Sequence, residues 1–270
     1  MFKLINGYSQ NWENASVIIP CVSVGNVGQL AVDLIISTLD LQKVGYIYHS
    51  AILPIVGNDP YHKLPSNQCS LTTGCEVFSN KSSTVVVVQQ RAPIVKGKKE
   101  IFSTWLSDWI KESKLKQVII LTSSFAHERI DQQIYGPQLR IVMSSSMEEQ
   151  NSEKFLQKLK WLALEKRSCV SPYEMENSDS NKDMIYLPGS GIAKHIFKKC
   201  KELPVLIMSL FCAEGDNIPE AVSLSNHLNT WLQLVDPQVD KSGSPLPYAW
   251  KIPESWKLIY GSGFDQTLFH

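Results

Sequence analysis

The feature that most constrains this chain is a short apolar run that turns at two glycines and continues as a helix. Residues 17–24 are mostly apolar and β-branched, which favours a buried strand. After the turn at residues 25–28, apolar side chains recur three or four positions apart up to Leu39, which predicts one face of a helix. Asn26 is predicted to be the N-cap of that helix, with Gln29 completing a capping box. A strand, a glycine turn and a helix form the opening unit of a doubly wound α/β domain.

Strands and helices alternate along the rest of the chain. Further strands are predicted at residues 41–48, 51–56, 76–78, 84–91, 117–123, 184–187 and 204–211, and further helices at residues 101–110, 152–166, 192–200 and 218–235. This alternation predicts an α/β fold, a single three-layer sandwich in which helices cover both faces of a mixed, largely parallel central sheet. We expect residues 1–260 to form one domain. Residues 261–270, which begin with Gly261-Ser-Gly263, are expected to form a flexible C-terminal tail.

The composition argues against two classes of partner. The 26 Lys and Arg residues balance 26 Asp and Glu residues, whereas non-specific binding to nucleic acid or to a membrane surface needs a basic excess. Apolar runs are too short to span a bilayer, and residues 1–14 do not resemble a signal peptide. The six cysteines are scattered and form no C-x-x-C pair, which indicates reduced thiols. We therefore expect no nucleic-acid or membrane partner and a location in the cytoplasm and nucleus.

The turn Gly25-Asn26-Val27-Gly28 is the best candidate for binding a small ligand. The N-terminus of the following helix has the geometry that holds a phosphate group. The turn is not G-x-G-x-x-G, however, and it lacks the Lys-Ser/Thr pair of a P-loop. We interpret Gly25, Asn26 and Gly28 as a structural turn, and keep a nucleotide- or nucleoside-binding α/β enzyme that uses it as the alternative.

Catalytic and metal-binding patterns are weak in this sequence. Ser123 or Ser124 with His127 is the only local grouping that resembles part of a nucleophilic triad, and there is no G-x-S-x-G elbow around it. The histidines are isolated, and none belongs to an H-E-x-x-H motif. We therefore predict no catalytic residue, no bound metal and no cofactor.

The C-terminus suggests a different kind of function. An apolar and aromatic end, with Phe264, Leu268 and Phe269 before His270, follows the glycines at 261 and 263. Such an end can dock in a pocket of another protein while its carboxylate is captured by a cation. An ordinary frayed terminus is the alternative interpretation.

Three stretches of the sequence resemble the PAC2 family of proteasome assembly chaperones. They are residues 22–39, residues 214–219, and the run from 250 to 263 that contains Trp250-Lys-Ile-Pro, Ser255-Trp256 and Gly261-Ser-Gly263. The order and spacing of the elements between them also match, so the resemblance covers nearly the whole chain and implies a PAC2-like α/β domain.

The resemblance implies a non-enzymatic function. Family members of this kind form a heterodimer with proteasome assembly chaperone 1, bind α-subunits of the 20S proteasome and promote assembly of the α-ring. The family tail ends in a hydrophobic residue, a tyrosine and any residue, and enters pockets between α-subunits. The matching positions here are Leu268, Phe269 and His270. Phe269 departs from the tyrosine and lacks its hydroxyl group.

Overall fold

A computed structural model of the chain describes residues 1–61, 70–165, 185–239 and 245–258. Its strands are β1 (Phe2–Leu4), β2 (Ser16–Pro20), β3 (Gln42–Ile47), β4 (Val56–Asn58), β5 (Leu71–Thr73), β6 (Cys75–Ser79), β7 (Val85–Gln90), β8 (Gln117–Phe125), β9 (Leu139–Met143), β10 (Leu162–Ala163), β11 (Val205–Cys212), β12 (Gln238–Val239) and β13 (Pro245–Leu246). Its α-helices are α1 (Val27–Thr38), α2 (Lys99–Glu112), α3 (Asp131–Ile134), α4 (Ser145–Ser152), α5 (Ala193–Cys200) and α6 (Ile218–Leu232). The domain boundary predicted at residue 260 lies outside the described residues.

Nine of these strands form one mixed sheet within the described part of the chain, in the order β1-β3-β6-β7-β2-β8-β11-β9-β10. The four central strands, β7, β2, β8 and β11, are parallel to one another. Antiparallel pairs flank this centre on both sides, through β1, β3 and β6 on one side and β9 on the other. The predicted mixed α/β sheet is confirmed, and its parallel strands lie where helices cover both faces.

Alternate residues of the central strands feed two separate cores, one on each face of the sheet. In β2, Val17 and Ile19 belong to the core under α2 and α5, whereas Ile18 belongs to the core under α1 and α6. This division follows from the two-residue period of a strand, which points successive side chains to opposite faces. The predicted three-layer sandwich with helices on both faces is therefore confirmed.

Asn26 is the N-cap residue of α1, as predicted, but the predicted side-chain capping is wrong. Asn26 adopts a left-handed backbone conformation (φ 53°), and its side chain makes no capping hydrogen bond. Gln29 does not complete a capping box either, because its Nε2 donates to the carbonyl oxygen of Gln90 at 2.9 Å. The reason is the single 3-10 turn at Val24–Asn26, which brings the chain into the helix without the extended backbone that an N-cap residue needs.

The helix predicted at residues 152–166 is also displaced. Helix α4 begins at Ser145 and continues as a π-helix over Glu153–Lys158, after which the chain reverses at Lys160 (φ 54°) into β10. The reversal places the ring of Trp161 parallel to that of Phe155, with centroids 5.0 Å apart. Residues six positions apart do not share one face of a helix, so Phe155 and Trp161 could not stack if the helix continued through both. The strand predicted at 184–187 is not formed by residues 185–187.

Candidate protein-interaction surface

The carboxyl ends of the parallel strands, where an open α/β sheet usually binds its ligand, are covered by the chain itself. A Cβ atom built on Gly25 would lie 2.5 Å from the side-chain amide nitrogen of Asn217, at the start of α6. A Cβ atom on Gly28 would collide with the carbonyl oxygen of Leu121 in β8. The glycine turn therefore lies against protein at both positions, at the start of α6 for Gly25 and at the middle of β8 for Gly28.

The serines at the end of β8 use their hydroxyl groups within the protein. Ser123 Oγ lies 2.7 Å from Ser23 Oγ and donates to the carbonyl oxygen of Val24. Ser124 Oγ donates to the carbonyl oxygen of Pro188 at 2.8 Å. In the described part of the chain no hydrogen bond joins either serine to His127, whose ring instead packs on Phe125 with centroids 4.9 Å apart. The structure does not bring the predicted Ser–His grouping together as a catalytic unit.

Metal and thiol chemistry have no assembled site among the described residues. No group of three or more His, Cys, Asp or Glu side chains there is arranged to hold a metal ion. Cys21, Cys75, Cys200 and Cys212 are free and buried. Burial raises the pKa of the Cys21 thiol to about 12, so this thiol is protonated at neutral pH. None of the described helices is long and apolar enough to cross a bilayer.

An exposed apolar surface instead projects from a two-stranded sheet formed by β4 and β5. The two strands are antiparallel and pair Gly57 with Thr72. Thr72 points inward and is buried, so its neighbours on the ribbon point outward: Val56 is 69% exposed and Leu71 is 52% exposed. Leu53 and Ile55, on the approach to β4, are exposed as well. We call the surface formed by Leu53, Ile55, Val56 and Leu71 the apolar ribbon.

The apolar ribbon has the composition of an interface rather than of an ordinary solvated surface. Residues 48–58 contain no Lys, Arg, Asp or Glu, although residues 53–58 are all exposed. Charged side chains are depleted at the centres of protein interfaces, and a contiguous exposed apolar patch commonly marks such a site. The sequence predicted residues 51–56 only as an extended segment and missed β5. The charge-free run was the signal that could have identified the surface.

Buried polar contacts hold the ribbon against the sheet. The Glu76 carboxylate in β6 accepts hydrogen bonds from Thr72 Oγ1 at 2.7 Å and from the backbone nitrogen of Thr73 at 3.0 Å. Lys43 Nζ lies 3.2 Å from Glu76 Oε1 and donates to the carbonyl oxygen of Leu71 at 2.9 Å. These side chains satisfy backbone groups of β5, so the ribbon has a fixed position although it is not part of the main sheet.

A second cluster ties the chain just after β4 to helix α1. The Asp33 carboxylate accepts hydrogen bonds from Tyr61 Oη at 2.5 Å, Gln89 Nε2 at 2.7 Å and Arg91 Nη2 at 2.8 Å. Burial, followed by the charge of Asp33, raises the pKa of the Tyr61 phenol well above its usual value. Burial alone would lower the pKa of Arg91, but the attraction of Asp33 outweighs it and raises that pKa. The cluster is therefore an ion pair with a neutral tyrosine, which is a structural arrangement.

The C-terminal segment reaches the same region of the molecule. Trp250 Nε1 donates to Asn226 Oδ1 on α6 at 2.7 Å, and the backbone nitrogen of Lys251 donates to Thr38 Oγ1 at the end of α1 at 2.9 Å. The backbone nitrogen of Ser255 then donates to the carbonyl oxygen of Pro60 at 3.2 Å. The segment thus connects α6, α1 and the chain after the ribbon. The predicted tail residues Leu268, Phe269 and His270 lie outside the described residues.

These features define a class: a three-layer α/β scaffold that carries an exposed surface suited to protein contact. Residues 17–232 match the model of the PAC2 family, and the chain belongs to that family. Proteasome assembly chaperone 2 of Danio rerio is 38% identical over 261 residues, which are 96% of this chain and 96% of the relative. Proteasome assembly chaperone 2 of Homo sapiens is 40% identical over 258 residues, which are 94% of each chain.

Two solved structures have the same fold at low sequence identity. Pyrococcus furiosus PbaA, an archaeal homolog of proteasome-assembly chaperone, has a TM-score of 0.60 with 16% identity and 86% coverage of each chain. Pyrococcus furiosus PbaB, an archaeal proteasome activator, has a TM-score of 0.62 with 12% identity, and the match covers 89% of this chain and 91% of that one. At these identities the likeness shows the fold alone.

Proposed function

We propose that this chain is a chaperone of 20S proteasome α-ring assembly that acts by protein contact and not by catalysis. The observation that carries the proposal is the match to proteasome assembly chaperone 2 from fish to human, which extends over nearly the whole chain at 38% and 40% identity. The described residues supply a rigid scaffold and an exposed apolar ribbon, which is what a contact-based function requires. The alternative of a nucleotide- or nucleoside-binding enzyme gains no support, because Gly25 and Gly28 are covered by protein.

The proposal includes a specific partner and location. We propose a heterodimer with proteasome assembly chaperone 1, formed in the cytoplasm and nucleus, where the four buried free cysteines would remain reduced. Lasting interfaces are more apolar than exchangeable ones. The apolar ribbon, with Val56 and Leu71 exposed and no charge in residues 48–58, suits such a lasting contact. We assign it to the related chaperone.

The α-subunits of the 20S proteasome are the second proposed partner. Leu268, Phe269 and His270 would enter a pocket between α-subunits, as the family tail implies. Tethering to the scaffold raises the effective concentration of this short segment at its pocket, so that even a weak contact adds to the overall affinity. The phenyl ring of Phe269 can fill an apolar pocket but cannot donate the hydrogen bond of a tyrosine.

Co-expression with proteasome assembly chaperone 1 tests the proposal. We expect the two chains to elute together at equal stoichiometry and to capture 20S α-subunits. Replacing Val56 and Leu71 by serine should reduce heterodimer recovery, because it removes the exposed apolar contact. Leu162→Ser is the matched control, since Leu162 is 39% exposed in β10, a strand at the end of the sheet away from β6. A chain that ends at Thr267 should still form the heterodimer while binding α-subunits less tightly.

Two results would contradict the proposal. If the two chaperones eluted separately, the heterodimer would be wrong, and if the complex captured no α-subunit, the assembly function would be wrong. Equal loss of heterodimer in the ribbon variant and in Leu162→Ser would contradict only the assignment of the ribbon to this interface. Unchanged α-subunit affinity after truncation at Thr267 would show that the tail is a frayed end.

A further inference from the structure

Helix α5 presents a row of lysines to solvent. Lys194, Lys198 and Lys201 are spaced four and three residues apart, so they lie on one side of the helix and of the turn that follows it, and all three are exposed. The opposite side of α5, with Ile196 and Cys200, is buried in the core beneath α2. We call Lys194, Lys198 and Lys201 the lysine stripe.

The lysine stripe belongs to a strongly segregated charge distribution. Residues 94–116 and 185–203, which contain α2 and α5, hold ten lysines and four acidic residues, whereas the whole chain has a net charge of zero. The rest of the chain therefore has an acidic excess of the same size. A basic face on a neutral protein is the electrostatic pattern that recognises an acidic surface.

Few carboxylates neutralise this face. Lys199 of α5 pairs with Glu100 of α2 at 2.5 Å, and Lys111 of α2 pairs with Glu202, just after α5, at 3.7 Å. Within the described ranges no carboxylate lies within 4 Å of any lysine of the stripe. Like charges four residues apart on a helix repel each other and destabilise it slightly. The repulsion within the stripe is relieved when an acidic partner binds.

The half-buried imidazole of His195 reports the positive potential of this face. Burial lowers the pKa of His195, and the charges of Lys99, Lys194 and Lys198 lower it further, while Glu100 opposes them. Lys99 begins α2 beside the stripe, so both helices contribute to the field. The potential is therefore a property of the α2–α5 face and not of one side chain.

The lysine stripe and the attachment of the apolar ribbon lie on opposite faces of the sheet. Helix α5 packs on the core that contains Val17 and Ile19. The ribbon is attached through Glu76, which lies on the same side of β6 as Phe78, a member of the other core. The segment that leads into the ribbon lies nearer to α5, because Ile52, just before Leu53, belongs to the first core.

We propose that the lysine stripe docks an acidic surface patch of a 20S α-subunit. This inference rests on the proposed function and adds to it the surface that faces the ring. An apolar contact suits the lasting chaperone partner, whereas a charged, exposed contact forms quickly and dissociates readily. Nucleic acid is a poorer fit, because the whole chain is neutral and Phe197, the aromatic residue between Lys194 and Lys198, packs against the core.

Charge reversal in the full-length heterodimer tests the inference, with purified 20S α-subunits as the probe. The variant Lys194→Glu/Lys198→Glu/Lys201→Glu should bind α-subunits about 10-fold or more weakly than wild type at low salt. The affinity of wild type should fall between about 50 and about 200 mM salt, and that of the variant should fall less. The matched control is Lys154→Glu/Lys158→Glu/Lys160→Glu, since these three lysines are also exposed, on the π-helix and the turn after it, and Lys158 pairs only with the exposed Glu153. Its affinity should stay within about 2-fold of wild type.

The outcomes separate the inference from the function on which it rests. Equal affinity and equal salt dependence of the stripe variant and the control would overturn the inference while the chaperone function stands. Failure of wild type to bind α-subunits at any salt concentration would overturn both. If the charge-reversal variant lost binding to single-stranded DNA or to anionic vesicles while its binding to α-subunits stayed unchanged, the inference would also be overturned. Another anionic partner would then be favoured. Lys194→Gln/Lys198→Gln/Lys201→Gln, which removes charge without reversing it, should show an intermediate loss, and recovery of heterodimer verifies folding.

Discussion

Two glycines fix the path of the chain between β2 and α1, each for a different reason. Gly25 has a left-handed backbone (φ 63°) and lies against the side chain of Asn217. Gly28 lies within α1 and allows that helix to approach the carbonyl oxygen of Leu121. The first glycine is required by conformation and space, and the second by space alone. Their positions explain a glycine-rich turn that needs no bound phosphate.

Gly28→Ala is expected to destabilise the protein because its Cβ atom would meet backbone, which cannot move aside as a flexible side chain can. We expect a loss of about 1–3 kcal/mol in the free energy of unfolding, the usual cost of overpacking a core. Urea denaturation of wild type and variant measures it. Gly57→Ala is the control, since its Cβ atom would lie 3.9 Å from the nearest atom, a methyl group of Thr72. Equal stability of both variants would contradict this account of Gly28.

At the scale of elements, the β4–β5 ribbon depends on polar contacts made by other elements. Two strands alone are marginally stable in water. The ribbon is fixed by Glu76 from β6, and the chain after it is fixed by Asp33 from α1. Its outer side chains, Val56 and Leu71, are free to face a partner because they are not needed to hold it in place. Different residues thus hold the ribbon in place and form its exposed apolar surface.

Removing the Asp33 carboxylate should loosen the chain around the ribbon more than the rest of the molecule. Asp33→Ala leaves the mostly buried guanidinium of Arg91 without its partner, and breaking such a pair costs about 3 kcal/mol or more. Hydrogen exchange is the measurement, and we expect faster exchange of amides in residues 56–61 and 70–73 than in α2. Asp108→Ala, at an exposed position of α2, is the control. Uniform acceleration across the chain would show that Asp33 stabilises the whole domain instead.

The sequence predicted the elements that have strong periodicity and missed those that depend on distant partners. Helices α1, α2 and α6 and the central strands were found because apolar residues repeat at the spacing of each structure. The π-helix ending was missed because it is set by the stacking of Phe155 on Trp161 and by the contact of Phe155 with Trp231. The ribbon was missed because an apolar run looks the same whether it becomes buried or exposed. The hydrogen bond from Thr72 to Glu76, which holds the ribbon in place, follows from no periodic pattern in the sequence.

At the scale of the whole molecule, the sheet separates two kinds of surface. The α2–α5 face is basic, whereas the ribbon is attached through Glu76 on the face covered by α1 and α6. The described C-terminal segment contacts α6, α1 and Pro60 on that same side of the molecule. In the complex proposed above, the related chaperone and the α-subunits would contact different surfaces of the chain.

Stability of the whole domain should decrease as the pH falls below neutral, because three half-buried histidines resist protonation. Burial lowers the pKa of His49, His195 and His227 below the usual value, with nearby positive charges adding to the effect at His49 and His195. The unfolded chain then binds protons first, so the stabilising contribution is present above a pH of about 6.5 and is lost as the pH falls toward the folded-state pKa. We expect the melting temperature to drop between about pH 7.5 and about pH 5.5.

His227→Gln isolates one of these groups, since burial alone lowers the pKa of His227 where it packs edge-on against Trp161, with ring centroids 6.2 Å apart. Glutamine does not titrate, so the variant should lose less stability than wild type over the same pH interval. Comparing how steeply stability falls with pH in the two proteins removes any difference at neutral pH. A packing defect lowers the stability equally at every pH and does not change the number of protons bound. Parallel curves for the two proteins would mean that His227 binds protons equally in the folded and unfolded states, and the acid sensitivity would then have to come from other groups.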